Sequence, residues 1–166
     1  MRLAEAEFPE DPDWDWLRQT FPAGTGLRFG VGLCDVIGQC TGRLAYLATP
    51  YSKLVVDDDG RWQADLSRIH EARASRWARA LALDGITAIS PILMACGICH
   101  ADLEGYFDPL DNGFWAAWCQ PLLRRSDTVI IPQMYGWQDS RGVWREACHA
   151  LCHNQPVFVI EEGAMP

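Results

Sequence analysis

The sequence predicts an α/β domain built on a parallel sheet of four to five strands with flanking helices. Two short runs, Thr128–Ile131 and Val157–Ile160, are apolar, β-branched and bounded by polar or proline residues, which is typical of strands buried on both faces. Between them Val143, Ala147 and Ala150 recur at helical spacing. Strand, crossover helix and strand form a βαβ unit, so the sheet is predicted to be parallel.

The first 42 residues differ from the rest of the chain. They begin with an acidic, proline-containing segment, continue through a short helix predicted around residues 14–20, and end in a glycine-rich stretch over 24–42. This pattern fits an added strand or hairpin, an arm that reaches a second subunit, or a poorly ordered tail. We therefore divide the chain into an N-terminal extension (1–42) and a main domain (43–166).

The main domain continues with alternating strands and helices. Before the run at 128–131 the predicted elements are a strand at 44–48, a polar loop at 51–63, a helix at 65–83, a strand at 86–90, a loop at 92–112 and a helix at 113–125. Asp65 is the predicted N-cap of the first of these helices, and Ile69 and Trp77 lie on its predicted buried face. The 92–112 loop is too long for a simple connection, so we expect it to form part of a pocket.

Composition limits the classes of function. The chain has 166 residues, 49% of them apolar, and a net charge of −8 without a basic run. This argues against binding duplex nucleic acid through its phosphates but leaves nucleosides and nucleotides open as small-molecule ligands. No apolar run reaches membrane-spanning length and the N-terminus lacks a hydrophobic signal core, so we predict no membrane contact, a cytoplasmic location and mostly reduced cysteines.

The candidate site lies beyond the carboxyl ends of the strands, where ligands bind in parallel sheets. This edge includes residues 133–146, with Ser140, Arg141 and Gly142 at the helix start and Glu146 one turn further along. Backbone N–H groups near a helix start favour negative charge, so Glu146 is expected to be an ionised carboxylate that can act as a nucleophile or a base. The alternative is an ordinary surface residue.

Three segments stand in a recognisable order: YLATPYS at 46–52, FW to SD between 114 and 127, and SRGV to E between 140 and 146. Together they resemble a family of small bacterial and phage proteins of unknown function. That family is itself similar to the nucleoside 2-deoxyribosyltransferases and the deoxynucleoside 5′-monophosphate N-glycosidases. The resemblance extends from residue 43 to about residue 161 and leaves the N-terminal extension unexplained.

The resemblance implies a flavodoxin-like (Rossmann-like) sheet with a catalytic glutamate just inside the last helix, which Glu146 matches. Such a glutamate would attack the anomeric carbon of a 2′-deoxyribose and pass the sugar to another base or to water. Tyr46 matches the tyrosine that orients this carboxylate, with a core aromatic as the alternative. Ser140 matches a position that contacts the sugar or 5′-phosphate, with an N-cap as the alternative. The other substrate-binding residues expected are Pro50, Ser52, Cys119, Asp139, Arg141 and Gly142.

Cys119 departs from the family pattern. The transferases and glycosidases have an aspartate eight residues before the position of Asp127, and it helps to protonate or anchor the departing base; here that position is Cys119. A thiol is a weaker proton donor and offers no carboxylate. Either another acid serves, with Asp108, Asp111 and Asp139 as candidates, or the activity is altered or absent.

Two other classes of function remain as alternatives. A non-catalytic module of the same fold could bind a nucleotide or a related metabolite. A metal-holding protein could use Cys96 and Cys99 with Cys148 and Cys152, but those last two are spaced by one helical turn and suit an apolar face, so we predict no metal and no cofactor. A homodimer or larger homo-oligomer is expected from the resemblance and from the tryptophans, which include Trp14, Trp16 and Trp137.

Overall fold

The computed structural model describes residues 7–22 and 24–161. In chain order the elements are α1 (Trp14–Thr20), β1 (Leu27–Val31), α2 (Leu33–Cys40), β2 (Leu44–Leu47), a 3-10 turn (Ser52–Leu54), α3 (Ala64–Leu83), β3 (Thr87–Ile89), α4 (Pro91–Ala101), α5 (Asn112–Arg125), β4 (Thr128–Ile131), α6 (Arg141–Cys152) and β5 (Val157–Ile160). The predicted α/β class is confirmed, as are the helix at 14–20 and the strands at 128–131 and 157–160.

The five strands form one parallel sheet in the order β1-β5-β4-β2-β3. From β2 the chain moves outward to β3, returns to β4 beside β2, and then moves the other way to β5. The neighbouring carboxyl ends of β2 and β4 are therefore the topological switch point, where doubly wound sheets bind ligands. Strand β1, from the N-terminal extension, adds the far edge beside β5.

Alternate residues of the central strands face two separate cores, as the strand period of two requires. Tyr46, Val129 and Val159 face the core formed with α1, α5 and α6. Ala45 and Ile130 face the core formed with α2 and α3. Because Tyr46 lies on the face covered by α5 and α6, it is aimed at the helix that carries Glu146.

Helix α3 differs from its prediction in its start and in its buried face. Gln63, not Asp65, is at the N-cap position. The buried residues are Ser67, His70, Ala74, Trp77 and Leu81, whereas Ile69 is 47% exposed. The predicted face is confirmed for Trp77 and wrong for Ile69, because the prediction followed apolar residues alone. Ser67 is tolerated inside because its hydroxyl forms hydrogen bonds in a polar network described below.

The predicted loop over 92–112 is wrong for its first half, because Pro91–Ala101 is the helix α4. Proline at the first helical position is compatible with a helix start, since its missing N–H would have no partner there. The helix is apolar almost all round, so its sequence shows no helical alternation. Only residues 102–111 remain as a loop between α4 and α5.

The N-terminal extension packs against α6 through aromatic side chains. The ring of Trp14 lies 4.7 Å from that of Trp137 and 5.2 Å from that of Trp144. Trp144 donates a hydrogen bond to the carbonyl of Pro9, at 2.9 Å. Trp14 and Trp137 are both buried, so the expectation that they belong to a self-association surface is wrong. None of the helices in the described ranges combines the length and the apolar composition that a membrane span requires.

Candidate active site

Tyr46 and Glu146 meet at the switch point of the sheet. Tyr46 is fully buried on β2, and its hydroxyl donates a hydrogen bond to Oε1 of Glu146, on the second turn of α6. Glu146 itself is half-buried. The two residues are far apart in sequence and come together because β4 places α6 directly beside β2. The contact therefore depends on the sheet order.

Burial controls the protonation of this pair. Desolvation raises the pKa of Glu146 to about 7, and the hydrogen bond from Tyr46 opposes part of that rise. The pKa of Tyr46 is raised well above its usual value, chiefly by burial and then by the Glu146 charge. The pKa of Glu146 is thus raised rather than lowered, because the helix dipole falls off beyond the first turn while burial acts at the second, and the expected ionised carboxylate stays a prediction.

Cys119 completes the cluster from α5. Burial, and after it the Glu146 charge, raise the pKa of Cys119 to about 12, although a hydrogen bond with Tyr46 opposes part of that rise. The thiol is therefore neutral at physiological pH. It adds no second negative charge beside Glu146, and it can supply only a weak hydrogen bond.

The remaining predicted residues lie at the same edge of the sheet but are engaged elsewhere. Ser140 caps α6 by accepting a hydrogen bond from the Val143 N–H at 3.3 Å, which is its alternative role. The Arg141 guanidinium pairs with Asp11 of the extension, with Nε at 2.9 Å from the carboxylate. Gly142 is exposed next to it.

Two contacts that were not predicted join the loops of this rim. The Ser52 hydroxyl donates to Oδ1 of Asn112 at 3.3 Å. Lys53 donates from Nζ to the carbonyl of Asp139 at 2.9 Å. Asn112 and Lys53 were not among the predicted site residues, although each adjoins a predicted segment in sequence. Only the folded structure shows that their loops meet. Pro50 is buried where β2 ends, so it shapes the backbone rather than presenting a polar group.

The three aspartates that could replace the missing family aspartate do not join the cluster. Asp111 caps α5 by accepting from the Phe114 N–H at 2.9 Å, and Asp108 accepts from the Leu110 N–H at 2.8 Å. Asp139 is exposed. Each of the three lies on a rim or loop rather than in contact with the Tyr46–Cys119–Glu146 cluster.

A second polar network fixes the loop behind β2. The Tyr51 hydroxyl lies 2.8 Å from the Ser67 hydroxyl and accepts from the Trp62 ring N–H at 3.0 Å. The Ser67 hydroxyl also lies 3.1 Å from Nε2 of His100 and 3.6 Å from the Cys96 sulfur. This network connects the loop at 51–63 to α3 and α4. It therefore fixes the position of the rim residues that follow Tyr51 in this loop.

The four cysteines considered as metal ligands lie on two different helices. Cys96 and Cys99 belong to α4, whereas Cys148 and Cys152 belong to α6. In the described part of the chain, no group of three or more histidine, cysteine, aspartate or glutamate side chains is placed to hold a metal ion. The metal-holding alternative therefore lacks its ligand geometry among these residues.

Two open cavities lie away from the cluster. One, of about 580 Å³, is at the amino end of the sheet and includes Arg124, Asp127 and His153. The other, of about 450 Å³, lies along β1 and includes Arg18 and Phe21. Neither Tyr46 nor Glu146 lines either of these two cavities.

The substitution Tyr46→Phe is expected to raise the pKa of Glu146 above its value of about 7, because it removes the hydrogen bond that stabilises the carboxylate while burial remains. The carboxyl titration can be followed by isotope-edited infrared or NMR spectroscopy. Tyr51→Phe is the matched control, since Tyr51 bonds to Ser67 instead. An unchanged Glu146 titration in Tyr46→Phe would contradict the assigned hydrogen bond.

Fold and site together define a doubly wound α/β domain with a desolvated tyrosine–glutamate pair at its switch point. The chain belongs to the family described as a domain of unknown function (DUF1937), whose model matches residues 43–162. The match begins directly before β2 and includes Tyr46, Cys119 and Glu146, whereas β1 lies outside it. No curated protein and no solved structure shows a significant match to the chain.

Proposed function

We propose that this protein cleaves or exchanges the N-glycosidic bond of a 2′-deoxynucleoside or its 5′-monophosphate, with Glu146 as the nucleophile. The observation that carries the proposal is the hydrogen bond from Tyr46 to a desolvated carboxylate at the switch point of the sheet. A carboxylate held by one donor and shielded from water is suited to attack a sugar carbon. The likeness to the deoxyribosyltransferases and N-glycosidases points to the same chemistry.

In the proposed reaction, Oε2 or Oε1 of Glu146 forms a bond to C1′ as the bond between C1′ and the base nitrogen breaks. The bonding electrons leave with the base, which takes up a proton, and the transition state has oxocarbenium character. Water or a second base then attacks C1′ and releases the glutamate. With a pKa of about 7, Glu146 is ionised in a substantial fraction of molecules at neutral pH.

The proposed substrates are small metabolites of the cytoplasm, where we also place the protein. Ser140, at the start of α6, and Ser52, Arg141, Gly142 and Asp139 on the rim are proposed to contact the sugar or its 5′ group. Cys119 is proposed to lie beside the departing base. Because its thiol is neutral, it leaves base protonation to solvent or to the substrate itself.

The test is incubation of the protein with 2′-deoxynucleosides and their 5′-monophosphates, followed by chromatography for released base. Release without an added acceptor base indicates hydrolysis, and a new nucleoside formed only with an acceptor indicates transfer. Ribonucleosides serve as the matched substrate control. Absence of both products from every 2′-deoxy substrate would overturn the proposal.

The second candidate is a non-catalytic module that binds a nucleotide or related metabolite in the same place. The observation that favours it is Cys119, which occupies a position where the similar enzymes have an aspartate. Calorimetric titration with the same compounds separates the two candidates. Saturable binding without base release supports the module, whereas release supports the enzyme.

A further inference from the structure

Helix α5 carries more aromatic surface than the domain buries. Of its residues only Leu123 is buried. Phe114, Trp115 and Trp118 form a row of ring contacts along α5, with centroids 4.9 Å and 5.7 Å apart, and the two tryptophans are half-buried. Phe114 remains 41% exposed. A helix with this composition normally turns its aromatic rings into a core.

The preceding loop extends the same surface. Phe107 contacts both Phe114 and Trp115, while Tyr106 is 83% exposed and Leu103 is 89% exposed. We call the six residues Leu103, Tyr106, Phe107, Phe114, Trp115 and Trp118 the α5 patch. Ring contacts join four of these residues, Phe107, Phe114, Trp115 and Trp118, into one apolar surface. Such a surface marks an interaction site, and aromatic residues are enriched in the centres of protein interfaces.

Charge along α5 is divided between its two ends. Asp108 and Asp111 lie at the amino end, and Arg124 and Arg125 lie at the carboxyl end. All four are exposed, and within residues 7–22 and 24–161 neither arginine takes part in an ion pair. The charges along α5 are therefore complementary to those of a second copy whose α5 runs in the opposite direction.

We propose that the α5 patch binds the α5 patch of a second copy of this chain, with the two helices antiparallel. Residues 111, 114, 118 and 125 recur at spacings of three, four and seven, so they lie along one face of α5. Position 118 is midway between 111 and 125. A two-fold axis at Trp118 thus places Asp111 of each copy opposite Arg125 of the other, and Phe114 opposite Leu122.

This interface adjoins the candidate active site. Cys119 follows Trp118 and lies on the inner side of α5, in contact with Tyr46. Pairing through α5 would therefore place the two sites on either side of the symmetry axis. The inference rests on exposed side chains and charge, and it does not depend on the proposed reaction.

The test is the mass of the full chain in solution, measured by sedimentation or light scattering across the micromolar range. The expected mass is twice the 18.6 kDa of one chain. Arg125→Glu is expected to weaken the dimer at least about tenfold, because it places two like-charged pairs across the axis. Arg124→Glu is the matched control, since this neighbouring arginine points away from the face that includes 111, 114 and 118.

A complementary pair of variants excludes unfolding as the cause. Asp111→Lys weakens the dimer by the same like-charge repulsion, and its loss of the α5 cap is monitored by circular dichroism. Mixed with Arg125→Glu, it is expected to form a heterodimer in which both pairs are of opposite charge. A monomeric wild type, equal effects of the two arginine variants, or no recovery in the mixture would overturn the proposed interface.

Discussion

The substitution Glu146→Gln is expected to lower base release by at least about 1,000-fold. Glutamine keeps the size of the side chain and can still accept the hydrogen bond from Tyr46. It cannot form the glycosyl ester, because an amide is a poor nucleophile. The loss should appear in kcat/KM for 2′-deoxynucleosides and their monophosphates, measured by chromatography of the released base.

The control is Glu10→Gln, which makes the same chemical change at an exposed position in the N-terminal extension. Its base release is expected to match that of the wild type. Glu146→Gln should also retain ligand binding, because the rim residues are unchanged. Release that persists in this variant would remove Glu146 from the mechanism, whereas equal binding without release in wild type and variant would favour the non-catalytic module.

The elements that could be predicted were those whose burial follows from the pattern of apolar residues within the element itself. Strands β4 and β5 are continuous apolar runs between polar or proline residues, so their limits follow directly. The edge strand β1 contains Gly30 in a left-handed conformation, with φ of 63°, where the pairing with β5 shifts register. A glycine at a bulge interrupts the strand pattern, which explains why the extension remained ambiguous.

The candidate site was predictable in its members but not in its electrostatics. The order of the sequence motifs predicted Tyr46, Cys119 and Glu146 as members of one site, and the structure places them in contact. The raised pKa of Glu146 was missed because it comes from the desolvation produced by tertiary packing around the second turn of α6. Such burial depends on the sheet order and on the position of α5, which local spacing does not report.

The raised pKa of Glu146 makes stability depend on pH, with a sign opposite to that of a carboxylate whose pKa is lowered by an ion pair. The pKa of Glu146 is about 7 in the folded chain and 4.5 in its usual range. Between these values the folded state holds a proton that the unfolded state releases. The contribution of Glu146 to stability therefore falls as pH rises from about 4.5 to about 7, and it stays low above that.

Glu146→Gln is accordingly expected to be more stable than the wild type above neutral pH, by about 1–3 kcal/mol. The full pKa shift would correspond to slightly more than the upper end of that range, and the lower values allow for the partial exposure of the side chain. Below about pH 4.5 the two proteins should differ little, because the glutamate is then neutral in both states. Urea unfolding at a series of pH values measures the difference.

Glu10→Gln is again the matched control, and its difference from the wild type should not vary in this way with pH. Parallel pH profiles for Glu146→Gln and the wild type would mean that the carboxyl is solvated in the folded chain. A gain in stability together with a loss of base release would instead show that the ionised Glu146 destabilises the folded state but is required for the reaction. Such a conflict is expected where a charge is kept for chemistry rather than for packing.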